Sequence, residues 1–128
     1  MRVRTATVSD LPDVLNVLDG AALSVDVDSL KRAIDDGDVL VAVTEDSEIE
    51  RVLGALVLDG NEITAIAVRL RRRDQGIGTA LVEAAFERHD ELVAEFDETV
   101  IDFWRSVGFD VTSLDEPNRY RGRRTDSQ

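Results

Sequence analysis

The residues best suited to chemistry lie close together in one stretch. Arg69, Arg71, Arg72 and Arg73 are followed by Gly76 and Gly78 at the start of an apolar helical stripe, Ile77, Ala80, Leu81 and Ala84. A helix start presents unpaired backbone N–H groups and the positive end of a dipole, which together suit phosphate. Glycines there let the backbone approach an anion without a Cβ in the way, and the arginines add positive charge. Strand, basic turn, glycine pair and helix therefore have the order that a pyrophosphate cradle needs. Two other phosphate motifs fit less well. A Walker loop needs a lysine between the last glycine and the Ser/Thr, but Thr79 follows Gly78 directly. A dinucleotide fingerprint needs a third glycine where Leu81 stands. Taken alone, a glycine pair is also compatible with an ordinary strand-to-helix turn and a solvated basic rim. The chain has no cysteine, which excludes thiolate nucleophiles, thiolate metal sites and disulfides. Its single histidine, His89, makes a histidine metal centre a poor fit. His89 lies roughly 20 Å of helix beyond Gly76 and reads as a solvated residue of the last turn.

The elements that must position this loop follow from hydrophobic periodicity. Residues 2–5 fit a first strand. Ser9-Asp10 signals a helix start, with Leu11, Val14, Leu15 and Leu18 at helical spacing and Gly20 near the end. A second short helix is expected over 29–36 with Asp28 as its cap. Apolar strands are expected over 39–44, 52–58 and 63–68, the first two joined by a polar hairpin loop at 45–50 and the last two by the tight turn Asp59-Gly60. After the glycine helix comes a strand at 92–96. Val100, Phe103, Trp104 and Val107 then form an amphipathic helix stopped by Gly108. Weaker strands follow at 109–112 and 119–121. The order β-α-α-β-β-β-α-β-α-β-β predicts a mixed α/β sheet. Residues 1–124 are expected to form a single domain and 125–128 a disordered tail.

At 128 residues the chain can bury a core without metal or disulfide staples. Its 33% charged and 43% hydrophobic content is that of a globular domain. No apolar run reaches membrane-spanning length and no signal-peptide pattern opens the chain, so no membrane partner is expected and the expected location is cytoplasmic. The formal net charge of -12 argues against nucleic acid as a partner. Lys31 is the only lysine, and an acid-rich, lysine-poor surface is that of a salt-adapted protein, in which salt screens self-repulsion. The functional alternative is an acidic cleft that attracts cationic substrates.

The segment Ile66-Ala67-Val68-Arg69-Leu70-Arg71-Arg72-Arg73-Asp74-Gln75-Gly76-Ile77-Gly78-Thr79-Ala80-Leu81 resembles the acetyl-CoA-binding motif of the GNAT superfamily of N-acetyltransferases. That motif is Arg/Gln-x-x-Gly-x-Gly/Ala after a strand, matched by Arg73, Gly76 and Gly78. The block from Asp97 to Phe109 is similar to the family's helix ending in Gly-Phe, and Val3 to Leu11 is similar to family N-termini. The resemblance runs from Arg2 to about Arg121. It implies a mostly antiparallel mixed sheet flanked by about four helices, with a splayed central strand pair that admits pantetheine. It further implies that backbone groups of Ile66 and Val68 pair with the pantetheine arm. Amides of Arg73, Asp74, Gln75, Gly76, Ile77, Gly78 and Thr79 would hold the pyrophosphate. Asp97 stands where relatives often carry a cofactor-binding asparagine.

The reaction implied is direct attack of a primary amine, on a small molecule or a protein, on the acetyl-CoA thioester. Freeing an ammonium of its proton at neutral pH costs on the order of 4.6 kcal/mol, whereas leaving a departing thiolate unprotonated costs roughly 2 kcal/mol. A base is therefore the role to look for first. Glu62 opens the strand beside the thioester, and Glu95 interrupts an otherwise apolar strand; both are candidate bases. Trp104 occupies the place of the family's proton-donating tyrosine, and no general acid is assigned, with Tyr120 and Ser106 lacking positional support. The alternative is a GNAT-like module that binds acyl-CoA without transferring the group, as a sensor or assembly partner. A third reading is an anion-binding α/β domain unrelated to acyl transfer. The final strands also offer a surface for a homodimer.

Overall fold

The computed structural model describes residues 1–20, 26–45, 49–69, 71 and 75–125. The elements are β1 (Arg2–Thr5), a 3-10 turn (Val8–Asp10), α1 (Leu11–Gly20), α2 (Val27–Asp35), β2 (Val39–Val43), β3 (Val52–Asp59), β4 (Glu62–Val68) and α3 (Ile77–Phe86). There follow β5 (Glu91–Asp97), a second 3-10 turn (Glu98–Val100), α4 (Ile101–Ser106), β6 (Asp110–Ser113) and β7 (Arg119–Thr125). The expected order of strands and helices is present. Several boundaries shift by a residue or more, and three of the shifts have a local cause. Helix α2 starts at Val27 because Asp26, not Asp28, holds the N-cap; the Asp26 carboxylate accepts the Ser29 hydroxyl at 2.8 Å. The stripe from Val100 to Val107 is only partly helical, since Val100 is in the 3-10 turn and exposed while Val107 caps α4. Strand β7 reaches Thr125, one residue into the expected tail, because it pairs with β5 along its whole length, from Asp97↔Arg119 to Glu91↔Thr125.

The seven strands form one sheet in the order β1-β2-β3-β4-β5-β7-β6. Every neighbouring pair is antiparallel except β4 and β5. Helices α1 and α2 cover one face of β1–β4, where Val14, Val17, Leu18, Leu30 and Ile34 pack on Val39, Val41, Ala55 and Ala67. Helices α3 and α4 cover the other face, where Ile77, Leu81, Val82, Ala85 and Trp104 pack on Leu40, Leu56, Ile63, Leu92 and Phe96. Strand β2 is apolar at every position because both its faces are covered. Its odd residues enter one core and its even residues the other, as strand alternation requires.

The start of α1 is fixed to β1 by a charge pair. Arg4 grips Asp10 with both guanidinium nitrogens, at 2.8 and 3.1 Å, and the Asp10 carboxylate also accepts the Thr7 amide at 2.8 Å. Asp10 is buried, and burial of a lone charge would be unfavourable; the Arg4 hydrogen bonds, then the Thr7 amide, hold its carboxyl below the ordinary value of 3.8. Among the described residues no helix is long and apolar enough to cross a membrane.

Candidate active site

A cleft opens where β4 and β5 part. They pair at only two positions, Glu62↔Val93 and Ile63↔Ala94, and the closed end is fastened by the Val93 amide on the Asn61 carbonyl at 3.0 Å. The Asn61 side chain also donates to Glu91 at 3.1 Å. Past this point β4 bends away, because the register with β3 slips: Val57 faces Ala65 but Leu58 faces Ile63, leaving Thr64 as an extra residue. This is a β-bulge, which bends its strand and ends local pairing. The slip resets the alternation, so Ile63 and Ile66, three residues apart, both pack toward the α3/α4 core. The resulting cleft has a volume of about 990 Å³ and runs from Ile63 along β4 to Gly76, Ile77, Gly78 and Thr79.

The hydrogen-bonding phase of β4 sets which of its residues turn their main chain toward this gap. The Arg69 amide bonds the Leu53 carbonyl at 2.8 Å, so Arg69, Ala67 and Ala65 direct their backbone groups to β3. Ile66 and Val68, at alternate positions, direct theirs to the side of β5, where the cleft lies. Both residues line it.

Gly76 is the N-cap of α3, with a φ of 79° in the left-handed region that favours glycine. The first helical hydrogen bond runs from the Ala80 amide to the Gly76 carbonyl at 3.0 Å. The amides of Ile77, Gly78 and Thr79 precede it and have no helical acceptor. A Cβ at Gly76 would meet nothing within 4 Å, so this glycine is there for its conformation. Gly78 has a different role: a Cβ there would lie 3.2 Å from the Phe103 ring, so the residue lets α3 approach α4. Gln75 is described but does not line the cleft. Arg73 and Asp74 lie outside the described residues.

The two candidate bases are separated. Glu62 sits at the closed end, on the last paired rungs, and does not line the cleft. Glu95 lines the cleft and is exposed; its carboxylate accepts from Arg121, its cross-strand neighbour, at 3.0 Å. Asp97 also lines the cleft, but its carboxylate is turned to the following turn, accepting the Thr99 hydroxyl and the Thr99 amide, the latter at 2.9 Å. The hydroxyl first, then the amide, hold its carboxyl below the usual carboxylate range.

Trp104 is 4% exposed and stacked on Phe96 at 5.2 Å, with Phe103 and Phe109 edge-on at 5.2 and 4.9 Å. It forms part of the cleft's aromatic wall, and an indole offers no acid there. Tyr120 packs against the α3/α4 core and does not line the cleft. The Ser106 hydroxyl does reach it but donates to the Phe103 carbonyl at 2.6 Å. His89 lies beyond the C-terminus of α3, at the opposite end from Gly76. Sequence reasoning missed the bulge at Thr64, the packing of Phe103 on Gly78, and the cleft-lining Asp102 and Arg119. Arg119, Arg121 and Arg123, spaced by two along β7, were the signal for a charged strand face.

A family model for the GNAT acetyltransferase domain matches residues 18–122. No curated protein matches the chain in sequence. Among solved structures, a chain from the NatC complex bound to Gag peptide and CoA is 17% identical, with 98% of each chain covered and a TM-score of 0.78. Naa20 of Chaetomium thermophilum, in complex with a bisubstrate analogue, is 16% identical over 98% of this chain and 86% of that one, with a TM-score of 0.74. The ribosomal-protein-S18-alanine N-acetyltransferase of Escherichia coli is 16% identical over 99% and 94%, with a TM-score of 0.72. At these identities the likeness is one of fold. The family match covers most of the chain, and the mixed sheet with its flanking helices agrees with it: the chain belongs to the GNAT acetyltransferase family.

Proposed function

We propose that this chain moves an acetyl group from acetyl-CoA to a primary amine by direct attack in the cleft between β4 and β5. The observation that carries this reading is the two-rung β4–β5 pairing, which opens a cleft leading to the start of α3. The backbone groups of Ile66 and Val68 would pair with the pantetheine amides in place of a strand. The amides of Ile77, Gly78 and Thr79 would take the pyrophosphate, with Arg73, Asp74 and Gln75 completing the loop on the family pattern. Asp97, held by Thr99, would shape the cleft wall and contact the pantetheine rather than supply a free charge.

Glu95 is the better placed base, because it is in the cleft whereas Glu62 is at its closed end. The amine nitrogen, once freed of its proton, attacks the thioester carbon. The oxyanion that forms would be met by a β4 amide. The C–S bond then breaks, the nitrogen releases to solvent the second proton it carries in the adduct, and the thiolate leaves, taking its proton from solvent, since Trp104 offers none. The indole at that position favours a second reading, an acyl-CoA-binding module without transfer. Calorimetry with acetyl-CoA, followed by free-CoA release with a panel of amines, tests both. Binding with release supports transfer, binding without release supports the module, and no binding overturns both.

A cytoplasmic, salt-adapted source fits the net charge of -12 and the single lysine. A melting temperature that rises with molar KCl supports it, and one that falls opposes it. A homodimer formed through the β6 edge of the sheet is a further proposal, tested by light scattering.

A further inference from the structure

On the face of the sheet where α1 and α2 pack, the part over β5 and β7 lies beyond these helices and carries a ladder of opposite charges. Tyr120, Gly122 and Arg124 of β7 point to the α3/α4 side: Tyr120 packs on that core, a Cβ at Gly122 would strike Phe96, and Arg124 donates to Val107 and Glu83. Arg119, Arg121 and Arg123 therefore point to the opposite side, together with Glu95 and Asp97 of β5. Two arginines of this row are already matched. Arg123 is paired with Glu91, and Arg121 with Glu95 at 3.0 Å.

The third is matched only at longer range. Asp97 stands directly across from Arg119 and feels its charge, but its carboxylate is drawn away to cap the next turn through Thr99. Arg119 is half-buried, lines the cleft and forms no close ion pair among the described residues. The remaining cleft-lining acid, Asp102, is on α4 and so belongs to the opposite side. The start of α3 is also on that opposite side, so the sheet separates Arg119 from the phosphate loop.

We propose that Arg119 is a specificity-determining residue that receives a carboxylate on the acceptor, so that the preferred substrate is an amine that also carries an anionic group. The inference rests on the acyl-transfer reading above and names the acceptor class for it. A guanidinium in a partly enclosed cleft binds a carboxylate through two parallel hydrogen bonds. The chain's net negative charge opposes such a substrate only at long range, where salt screens it within about 10 Å.

The test uses the full chain with acetyl-CoA and a series of straight-chain amino acids, glycine to 6-aminohexanoate, each beside its carboxamide. At least one carboxylate is expected to exceed its carboxamide by roughly 10- to 100-fold in kcat/KM, the range of one hydrogen-bonded charge. Arg119→Gln should abolish that preference while leaving the KM for acetyl-CoA unchanged, and Arg119→Lys should keep part of it. Thermal melts of both variants establish that they are folded. Equal use of acids and amides, or no turnover or binding of any acid by protein that binds acetyl-CoA, overturns the role of Arg119 but leaves acyl transfer standing. A rise in the KM for acetyl-CoA in Arg119→Gln also overturns it, by assigning the arginine to the cofactor. Failure to bind acetyl-CoA at all overturns the underlying function as well.

Discussion

Replacing Gly76 by valine tests the phosphate-binding role proposed for the loop apart from its contribution to folding. The residue caps α3 at a φ of 79°, and a side chain there would meet nothing within 4 Å. The penalty is thus conformational. A non-glycine residue in the left-handed region is unfavourable by about 1–2 kcal/mol, and a β-branched one lies at the upper end. For a chain of this length about 2 kcal/mol corresponds to roughly 7 °C in Tm. Part of that strain can be relieved if the cap relaxes to a negative φ, which rotates the peptide joining it to Ile77. The Ile77 amide then turns away from the anion it would have held, and a hydrogen bond to a charged group is worth about 1.5–3 kcal/mol. Affinity for acetyl-CoA should accordingly fall by roughly 10- to 100-fold. Calorimetric titration gives the Kd and a thermal melt the stability. Gly60 supplies the control, since it has a φ of 62°, equally open surroundings, and a place in the β3–β4 turn at the far end of the strand from the loop. Gly60→Val should lose similar stability and no affinity. A folded Gly76→Val protein that binds acetyl-CoA within twofold of the parent, or a Gly60→Val protein that loses just as much affinity, refutes the cradle.

Other perturbations give distinct outcomes. Glu95→Gln should lower kcat by about 100-fold with little change in the KM for acetyl-CoA, whereas Glu62→Gln should leave kcat nearly intact; steady-state kinetics of both variants decides which acid is the base. Trp104→Ala removes a buried ring in contact with three phenylalanines and should destabilise by about 3–5 kcal/mol in urea unfolding, while Trp104→Phe costs far less. The folded Asp10 carboxyl titrates below its ordinary value of 3.8, so its stabilising effect is complete above that value and is lost as pH falls through the lower, folded one. Stability measured below pH 4 should therefore drop with acid in the parent. It should drop less steeply in Asp10→Asn, which begins about 1–3 kcal/mol less stable at neutral pH because Arg4 loses the more buried of its two acidic partners and keeps only Glu50, at 2.9 Å.

Local patterns revealed most of the elements, because apolar runs, caps and turn residues act within a few positions. The run Val39-Leu40-Val41-Ala42-Val43 announced a strand covered on both faces, and Asp59-Gly60 a tight turn. The start of α2 was misplaced by two residues because Asp26 and Asp28 are both competent caps, and only the reach of Asp26 to Ser29 distinguishes them. The helix start at Gly76 was legible for the same local reason: the glycine pair and the apolar helical stripe are contiguous. The cleft itself was not. Nothing within Glu62–Val68 reveals that β3 offers one residue fewer opposite it, so the bulge at Thr64 depends on a second strand. Which of Glu62 and Glu95 enters the cleft depends on where β4 and β5 cease to pair, a contact between segments about 30 residues apart. Asp97-Glu98-Thr99 could have been read locally, since an aspartate two residues before a threonine commonly bonds that residue's amide. That reading would have taken the carboxylate out of the list of free charges.

The two rungs between β4 and β5 also divide the sheet mechanically. Strands β1–β4 form one plate and β5–β7–β6 another; they share a continuous core beneath α3 and α4, but on the opposite face α1 and α2 cover only the first plate. Whatever threads the gap with main-chain hydrogen bonds becomes a tie rod between the plates. Amides on the facing edges of both strands should then exchange with deuterium more slowly once acetyl-CoA is bound, and the two plates should melt as one body only while the rod is in place.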